Sequence, residues 1–354
     1  MDQFFENVGL WIAYYTEPIR EWLIKAPDPG HKLALMVVAI LLFVVVMGAI
    51  LLLVDRPKNV PNWVVTGAFV GPAILAILFG LVYPALRTVY ASFFNRNGQE
   101  YVGWGNYVQS FTQNEFQLVL RNTALWVLLV PTLATLIGLI YAVLVDRTRF
   151  EKVAKALVFL PMAISMVGAG IIWRFMYEFR AELTNAAGEM KNNQTGLLNQ
   201  ILVWFGQEPQ QFLIHGPWNN MFLIAVMIWI QAGFAMTILS AAIRAIPDDI
   251  VEAAVLDGLH GFGMFRWITV PSIRPALVVV LTTIAMATLK VFDIVRTMTG
   301  GNFGTSVVAN EFYVQSFRQG NAGLGAALAV ILFVLVIPLV VYNVRQMRLA
   351  EEIR

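Results

Sequence analysis

Apolar residues in this chain are gathered into long, nearly uninterrupted runs. Seven runs are long enough to cross a bilayer as a helix, which takes about 20 residues for a hydrocarbon core of about 30 Å. They cover residues 33–54, 64–86, 122–145, 156–173, 221–243, 275–295 and 322–342. Backbone amides have no water to bond in the bilayer core, so each run is expected to be helical. The pattern predicts an all-α polytopic membrane protein with about seven transmembrane helices.

The amino-acid composition indicates the same class of protein. Hydrophobic residues make up 58% of the 354-residue chain and charged residues only 13%, which is far from the balance of a soluble domain. The net charge of +2 is too small to indicate a nucleic-acid partner, and the absence of Cys excludes thiol catalysis, cysteine metal sites and disulfides. His31, His215 and His260 lie in separate segments without metal-ligand spacing, so we expect no metal site.

Charged residues occur in only one of the seven predicted spans. The sixth span contains Lys290 and Asp293 near its end. Prolines at positions 72, 84, 131, 161 and 338 fall inside or at the ends of the runs, where neighbouring helices can supply the missing hydrogen-bond partners. We therefore expect kinked helices that pack against one another.

The density of Lys and Arg between the spans predicts the orientation. The connections 55–63, 146–155 and 244–274 and the tail after residue 342 hold twelve basic residues in 62 positions, whereas the other side holds eleven in 140. Basic connections tend to stay in the cytoplasm, so the first set and the carboxy terminus should be cytoplasmic. Residues 4–24 should then lie outside, in the membrane interface as an amphipathic segment; the alternative is a further span.

A short polar stretch, EAAVLDGLHGFGMFRWITVP at residues 252–271, separates the fifth and sixth spans. Pro247 suits the first position of a helix, the two aspartates after it suit the positive end of the helix dipole, and Gly258 suits a left-handed terminator. A second short segment follows at 262–269. We predict two short helices joined by a glycine elbow outside the bilayer, although any cytoplasmic loop can contain capped helices.

The spacing within this stretch is similar to a known motif. Glu252, Ala253 and Ala254 are followed after three residues by Gly258, and nine residues later by an Ile-x-Val-Pro sequence. This pattern resembles the EAA loop of the permease subunits of binding-protein-dependent ABC importers, in which Leu is usual in place of the Val. A match at six spaced positions between two predicted spans is a specific signal.

The resemblance covers most of the chain from about residue 72. Residues 71–95, 101–111 and 116–144 resemble the carbohydrate-uptake branch of these permeases. Residues 228–249 and 289–317 resemble the first permease of alpha-glucoside importers. Permeases for maltose, trehalose, glucosylglycerol and glycerol phosphate share much of this architecture, so the resemblance does not identify the sugar.

The resemblance implies a type I ABC importer permease in a bacterial or archaeal inner membrane. Its six-helix core would occupy residues 64–354, preceded at 1–63 by the interfacial segment and one extra span. The implied partners are a second homologous permease, two ATP-binding subunits and an extracytoplasmic sugar-binding protein, which would face the loops 174–220 and 296–321. The chain lacks a G-x-x-x-x-G-K-[ST] phosphate loop, so ATP would be bound by the partner and the chain would need no cofactor of its own.

The resemblance also assigns roles within the EAA loop. The helix would dock in a cleft of the ATPase subunit and move as a lever when the ATPase dimer closes. Glu252 would supply charge or hydrogen bonding, and Asp257 would belong to the same docking surface. Ala253 and Ala254 would allow close approach, and Gly258 would let the helix end.

A sugar path is expected on the fifth and sixth spans. By the resemblance, sugar-contacting positions of maltose-type relatives correspond to Phe234, an aromatic able to stack on a pyranose ring, and to the stretch 284–291, in which Thr288 offers a hydroxyl. Gln231 lies on the same helical face as Phe234 and could supply further hydrogen bonds. Lys290 and Asp293 either neutralise each other near the outer interface or contact the sugar, because a charge in a span is costly unless it is paired or hydrated.

Two other classes of protein fit the spans. An ion-coupled secondary transporter would use ionisable groups inside the membrane and often an inverted repeat, yet only Lys290 and Asp293 are candidates and no symmetric partner segment is present. A polytopic membrane enzyme, such as a sugar transferase, would need clustered acidic or histidine residues at a membrane face. The sequence favours the importer permease and predicts that the chain is not an enzyme.

Overall fold

The structure, a computed structural model, describes residues 29–55, 61–146, 148–180, 183–184, 190–191 and 196–352. These residues divide into two units, one ending at Ala85 and the other beginning at Leu86. The predicted division into 1–63 and 64–354 stays a prediction. The interfacial segment predicted at 4–24 lies outside the described residues.

The first unit consists of long apolar helices. Helix α1 spans Pro29–Asp55, and α2 spans Asn62–Ile77 and continues through a π-helical turn, Leu78–Val82, into α3, Tyr83–Ala91, of which only the first three residues belong to this unit. Most described side chains of α1 and α2 are exposed, which is expected of helices whose apolar surface faces lipid. Pro72 lies inside α2 without ending it.

The second unit is helical apart from one pair of two-residue strands. Leu183 pairs with Lys191 and Thr184 with Met190 in an antiparallel register, an exception to the all-α prediction. In chain order the elements are α4 (Gly105–Thr112), α5 (Asn114–Val145), α6 (Glu151–Phe159), a 3₁₀ turn (Leu160–Ala163), α7 (Met166–Met176), β1 (Leu183–Thr184), β2 (Met190–Lys191), α8 (Leu197–Trp204), α9 (Trp218–Arg244), α10 (Asp248–Leu256), α11 (Phe262–Met264), a π turn (Phe265–Thr269), α12 (Val270–Ser272), α13 (Arg274–Leu289), α14 (Asp293–Met298), α15 (Val308–Tyr313), a π turn (Val314–Arg318) and α16 (Ala322–Glu352).

The structure allows the predicted number of about seven spans only if two bent helix pairs are each counted as one span. Within the described ranges, five helices are long and apolar enough to cross a membrane, and the number rises to seven if each of two bent helix pairs forms one span. The first bent pair overlaps the fourth predicted span, and the Arg274–Leu289 member of the second pair overlaps the sixth. The described residues therefore contain between five and seven candidate spans.

The fourth predicted span, 156–173, is not one continuous helix. The segment Glu151–Ala163 meets Met166–Met176 at an angle of 101°. Pro161 lies in the 3₁₀ turn before the break, and Ser165 begins the next helix by accepting a hydrogen bond from the Gly168 amide at 3.1 Å. A proline followed by an N-cap serine stops one helix and starts another.

The sixth predicted span, 275–295, is also interrupted. Helix α13 ends at Leu289, and α14 begins only at Asp293. At its other end, α13 follows the segment Phe262–Ser272 with a bend of 70°. The expected single helix from 275 to 295 is therefore wrong, because the backbone leaves the helical conformation at Phe292, with φ −129° and ψ −50°.

Helix α9 lies at the centre of the larger of two hydrophobic cores. Met227, Met236 and Leu239 of α9 are almost fully buried, as are Trp126 of α5 and Ile284 of α13. The Trp126 indole donates a hydrogen bond of 2.9 Å to the Asn220 side chain, so a polar contact between α5 and α9 is satisfied inside the core. This packing fixes the helix that leads directly into the EAA loop.

Candidate functional site

The EAA stretch forms a short helix that follows α9 after three residues. Helix α10 begins at Asp248, with Pro247 as its N-cap residue, so Pro247 precedes the helix instead of occupying its first position as predicted. Asp248 and Asp249 lie in the first turn. Carboxylates there interact favourably with the positive end of the helix dipole.

The helix ends with two hydrogen bonds of the Schellman type. The Gly258 amide donates to the Val255 carbonyl at 3.0 Å, and the Leu259 amide donates to the Ala254 carbonyl at 2.9 Å. Gly258 has a φ of +85°, the left-handed conformation that the sequence predicts, and Asp257 is the C-cap residue. A Cβ at Gly258 would meet nothing within 4 Å, so glycine is needed there for its backbone conformation alone.

The second segment folds back beside α10 after Gly261, which has a φ of +53°. Ala254 is only 4% exposed where the two segments meet, and a groove of about 380 Å³ beside it is lined by both segments, including Ala253 and Asp257. Glu252, Ala253 and Asp257 are exposed. The loop therefore presents acidic groups and a small side chain at its surface, while Ala254 belongs to its internal packing.

The same loop also exposes large apolar side chains. Leu256 is 88% exposed, and Phe262 and Trp267 of the second segment are 74% and 65% exposed. Large exposed apolar side chains grouped in one loop are typical of a surface that is covered by another protein.

A network of charges joins the end of α9 to the α5–α6 connection. The Arg244 Nε donates to Asp146 at 3.0 Å, and another Arg244 nitrogen bonds Glu151. Lys155 also bonds Glu151, at 2.7 Å, and donates to Ser240 on α9. No local sequence pattern reveals this network, because Arg244 lies 98 positions from Asp146 and 93 from Glu151.

The candidate sugar-path residues of α9 differ in exposure. Phe234 is half-buried, whereas Gln231 is 9% exposed. The Gln231 side chain has no hydrogen-bond partner among the described residues. Its amide is therefore available to a bound molecule or to a water.

The Thr288 hydroxyl is bonded within its own helix. Its side chain is 0% exposed, and its hydroxyl donates to the Ile284 carbonyl at 2.7 Å within the same helix. Threonine commonly bonds the preceding turn in this way. Sugar contact by Thr288 stays a prediction.

Lys290 and Asp293 do not form an ion pair with each other in the described structure. Lys290 is the C-cap residue of α13 and is exposed, whereas Asp293 is the first residue of α14 and is half-buried. The break between the two helices separates them. Mutual neutralisation is therefore not supported.

An aromatic cavity that sequence analysis missed lies beside the end of α7. Its volume is about 560 Å³, and Phe175, Tyr177, Phe179 and Phe212 are among its lining residues. The Tyr177 hydroxyl donates to the Phe222 carbonyl at 3.2 Å, and burial raises the pKa of Tyr177 to about 12. The phenol therefore stays protonated. The walls come from segments far apart in the chain, so no local pattern marks the cavity.

Known proteins similar to this chain are transport permeases. Residues 116–347 match the family described as binding-protein-dependent transport system inner membrane component. The chain is 46% identical over 292 residues to the alpha-glucoside transport system permease protein AglF of Rhizobium meliloti, covering 82% of this chain and 84% of that protein. It is 45% identical over 286 residues to the osmoprotective compounds uptake permease protein GgtC of Synechocystis, covering 81% of this chain and 100% of that protein.

A solved structure agrees at the level of the fold. The crystal structure of a bacterial ABC transporter involved in the import of the acidic polysaccharide alginate has a chain that superimposes with a TM-score of 0.68. Sequence identity is 22%, and the match covers 79% of this chain and 94% of that one. The chain therefore belongs to the family of binding-protein-dependent transport system inner membrane components, and its fold is that of a type I ABC importer permease.

Proposed function

We propose that this chain is the membrane-spanning subunit of an importer that carries a neutral sugar, an alpha-glucoside or a related oligosaccharide, into the cytoplasm. Family membership supports the transport role. The names of two relatives, for alpha-glucoside transport and for uptake of osmoprotective compounds, support the cargo class. A trehalose/maltose permease of Thermococcus litoralis is a further relative, at 28% identity.

The proposed assembly contains this chain, a second related permease, two ATP-binding subunits and an extracytoplasmic sugar-binding protein. ATP is bound and hydrolysed by the partner subunits. The α10 helix and the carboxy terminus face the cytoplasm, and the loops 174–220 and 296–321 face the binding protein. The basic-residue density of the connections supports this orientation.

One observation carries the proposal: the capped helix α10 with its exposed acidic and apolar side chains. It begins three residues after a 27-residue apolar helix, and both of its ends are defined by local structure. Because only three residues separate α10 from α9, movement of the ATPase can pass to α9. Glu252 and Asp257 supply charge at the contact, and Leu256 supplies apolar area.

The coupling role is tested with Gly258→Val and Glu252→Lys in the reconstituted complex. The first change forces a β-branched residue into a left-handed conformation, which costs about 1–2 kcal/mol, and distorts the end of α10. The second reverses a charge at the docking surface. We expect both variants to lower the amount of ATPase that co-purifies, or to lower sugar uptake per ATP hydrolysed.

Gly206→Val is a matched control. Gly206 has a φ of +72°, ends α8 with the same pair of hydrogen bonds, and would also place a Cβ in open space. It lies in the 174–220 loop, on the side proposed to face the binding protein, so the same backbone strain there should leave co-purification of the ATPase unchanged. Equal coupling in the Gly258 variant and the parent, or equal loss in the Gly206 variant, would contradict the proposal.

The cargo is tested by uptake of maltose, trehalose, sucrose and glucosylglycerol into vesicles that contain the complex, with its binding protein outside. Lactose, a beta-galactoside, is the control sugar. We expect ATP-dependent uptake of at least one of the first four and little uptake of lactose. Transport driven by an ion gradient without ATP would instead favour a secondary transporter.

A further inference from the structure

Three arginines from separate elements line one open cavity of about 750 Å³. Arg174 lies in the last turn of α7, Arg296 in α14, and Arg318 at the end of the π turn after α15. No carboxylate is among the residues that line this arginine cavity, and within the described part of the chain none of the three forms an ion pair. Among the described residues, the cavity therefore gathers three arginines and no carboxylate in its lining.

The inner arginine is held in place by its neighbours. The Arg296 guanidinium lies 5.1 Å from the centre of the Tyr313 ring, and one of its nitrogens is 3.5 Å from the Gly300 carbonyl. A fourth guanidinium, that of Arg96, donates to the carbonyl of Gln319, which also lines the cavity. Cation–π contact and carbonyl oxygens orient the cations but do not neutralise them.

The cavity wall that carries Phe303 is hydrogen-bonded to two neighbouring helices. Phe303 has a φ of +57°, is 54% exposed, and is the only residue other than glycine with a positive φ in the described ranges. The Asn219 side chain donates to the Phe303 carbonyl at 2.8 Å, and the Asn122 side chain donates to the carbonyls of Gly304 and Ser306 at 2.7 and 2.9 Å. Strained conformations persist where surrounding contacts hold them, and a wall ordered in advance loses little entropy on binding.

A cluster of guanidinium groups is suited to carboxylates, which it can bind through paired hydrogen bonds. Arg174 and Arg318 are exposed, so an anion can reach them from solvent. The volume of the cavity exceeds that of one carboxylate group, so it can hold more than one acidic side chain. The ligand class is therefore a surface that bears several carboxylates.

We propose that the arginine cavity receives acidic side chains of the extracytoplasmic binding protein, an inference that rests on the proposed function. The proposed cargo is neutral and offers the three arginines no opposite charge, which favours a protein ligand over the sugar. Both loops that contribute arginines lie on the proposed outer side. Exposed charges there accelerate the encounter with a soluble partner of opposite charge and fix its orientation.

The test uses a double variant, Arg174→Gln with Arg318→Gln, in the complete reconstituted complex. ATPase stimulation is titrated with the complex's own binding protein, loaded with the best transported sugar of the panel above. We expect the half-saturating concentration of binding protein to rise on the order of tenfold, since exposed charge pairs are individually weak but two are lost. The maximal ATPase rate at saturation should stay within about twofold, because these charges act mainly on association.

Salt provides a second measurement. The Debye length falls from about 10 Å at 0.1 M salt to about 3 Å at 1 M, so added salt should weaken docking of the parent and have a smaller effect on the double variant. Arg121→Gln is the control, because Arg121 is an exposed arginine of α5 that does not line the cavity. It should behave like the parent in both measurements.

Three outcomes overturn the proposal. An unchanged half-saturating concentration in the double variant removes the docking role. If the double variant no longer co-purifies with the second permease, the cavity belongs to the interface between the two permeases. If the complex takes up an anionic sugar and that uptake depends on the arginines, the cavity binds the cargo. If the parent complex itself shows no ATP-dependent uptake, the proposed function fails. If the parent takes up sugar and the double variant docks the binding protein normally, only the docking proposal fails.

Discussion

Replacing Gly138 with alanine should force apart the two helices that form the centre of the fold. A Cβ at Gly138 of α5 would lie 2.5 Å from the Ala235 Cβ, 2.7 Å from the Met236 amide nitrogen and 3.0 Å from the Ala232 carbonyl of α9. Carbon atoms in contact normally lie about 3.5–4.0 Å apart, so the helices would have to separate by about 1 Å at this point. Two of the three obstructing atoms belong to the backbone and cannot rotate away.

The cost follows from two opposing effects. Overpacking a well-packed core costs about 1–3 kcal/mol, and contact with a backbone places this site near 3 kcal/mol. Alanine has a higher helix propensity than glycine by about 1 kcal/mol, which offsets part of that cost. We expect Gly138→Ala to lower the free energy of unfolding by about 2 kcal/mol, which corresponds to a fall in Tm of several degrees.

Thermal unfolding of the purified complex in lipid nanodiscs, followed by tryptophan fluorescence, measures this effect. Gly71→Ala is the control, because Gly71 also lies inside a helix but a Cβ there would meet nothing within 4 Å. That variant should be as stable as the parent or slightly more stable. Ala235→Gly added to Gly138→Ala removes the shortest contact and should restore part of the lost stability. A Gly138→Ala protein as stable as the parent, or equal losses at both glycines, would refute the packing argument.

Three further predictions follow from the site. Arg244→Gln should lower sugar uptake per ATP hydrolysed without loss of assembly, because it removes the ion pairs between α9 and Asp146 and Glu151. Arg244→Lys keeps the positive charge and should retain more coupling. Equal coupling in both variants and the parent would contradict this role. Phe234→Ala should raise the half-saturating sugar concentration for uptake, whereas Thr288→Val should not, since its hydroxyl bonds its own helix; a larger effect at Thr288 would reverse the assignment. A cysteine at Asp257 should be labelled by a membrane-impermeant maleimide only from the cytoplasm and one at Gln207 only from outside, and the opposite result would invert the topology.

The sequence by itself determined the features that depend on local chemistry. Hydrophobic length is a property of a continuous run, so the apolar segments could be predicted before any contact between them was known. Gly258 could be predicted as a helix terminator because the conformation it adopts depends on its own missing Cβ and on the hydrogen bonds of the preceding turn. The EAA spacing identified the family for the same reason, since it is a pattern within twenty consecutive residues.

Only the tertiary structure decided which side chains are available to act. Thr288 and Gln231 are both polar residues on apolar spans and look equally suitable in the sequence. The Thr288 side chain is buried and bonds the Ile284 carbonyl, whereas the Gln231 side chain has no hydrogen-bond partner among the described residues. The Arg244 network and the arginine cavity each combine residues separated by many positions in the chain. Burial, ion pairing and cavity shape depend on which helices meet and at what angle, and those angles are set by packing between distant segments, which no local pattern contains.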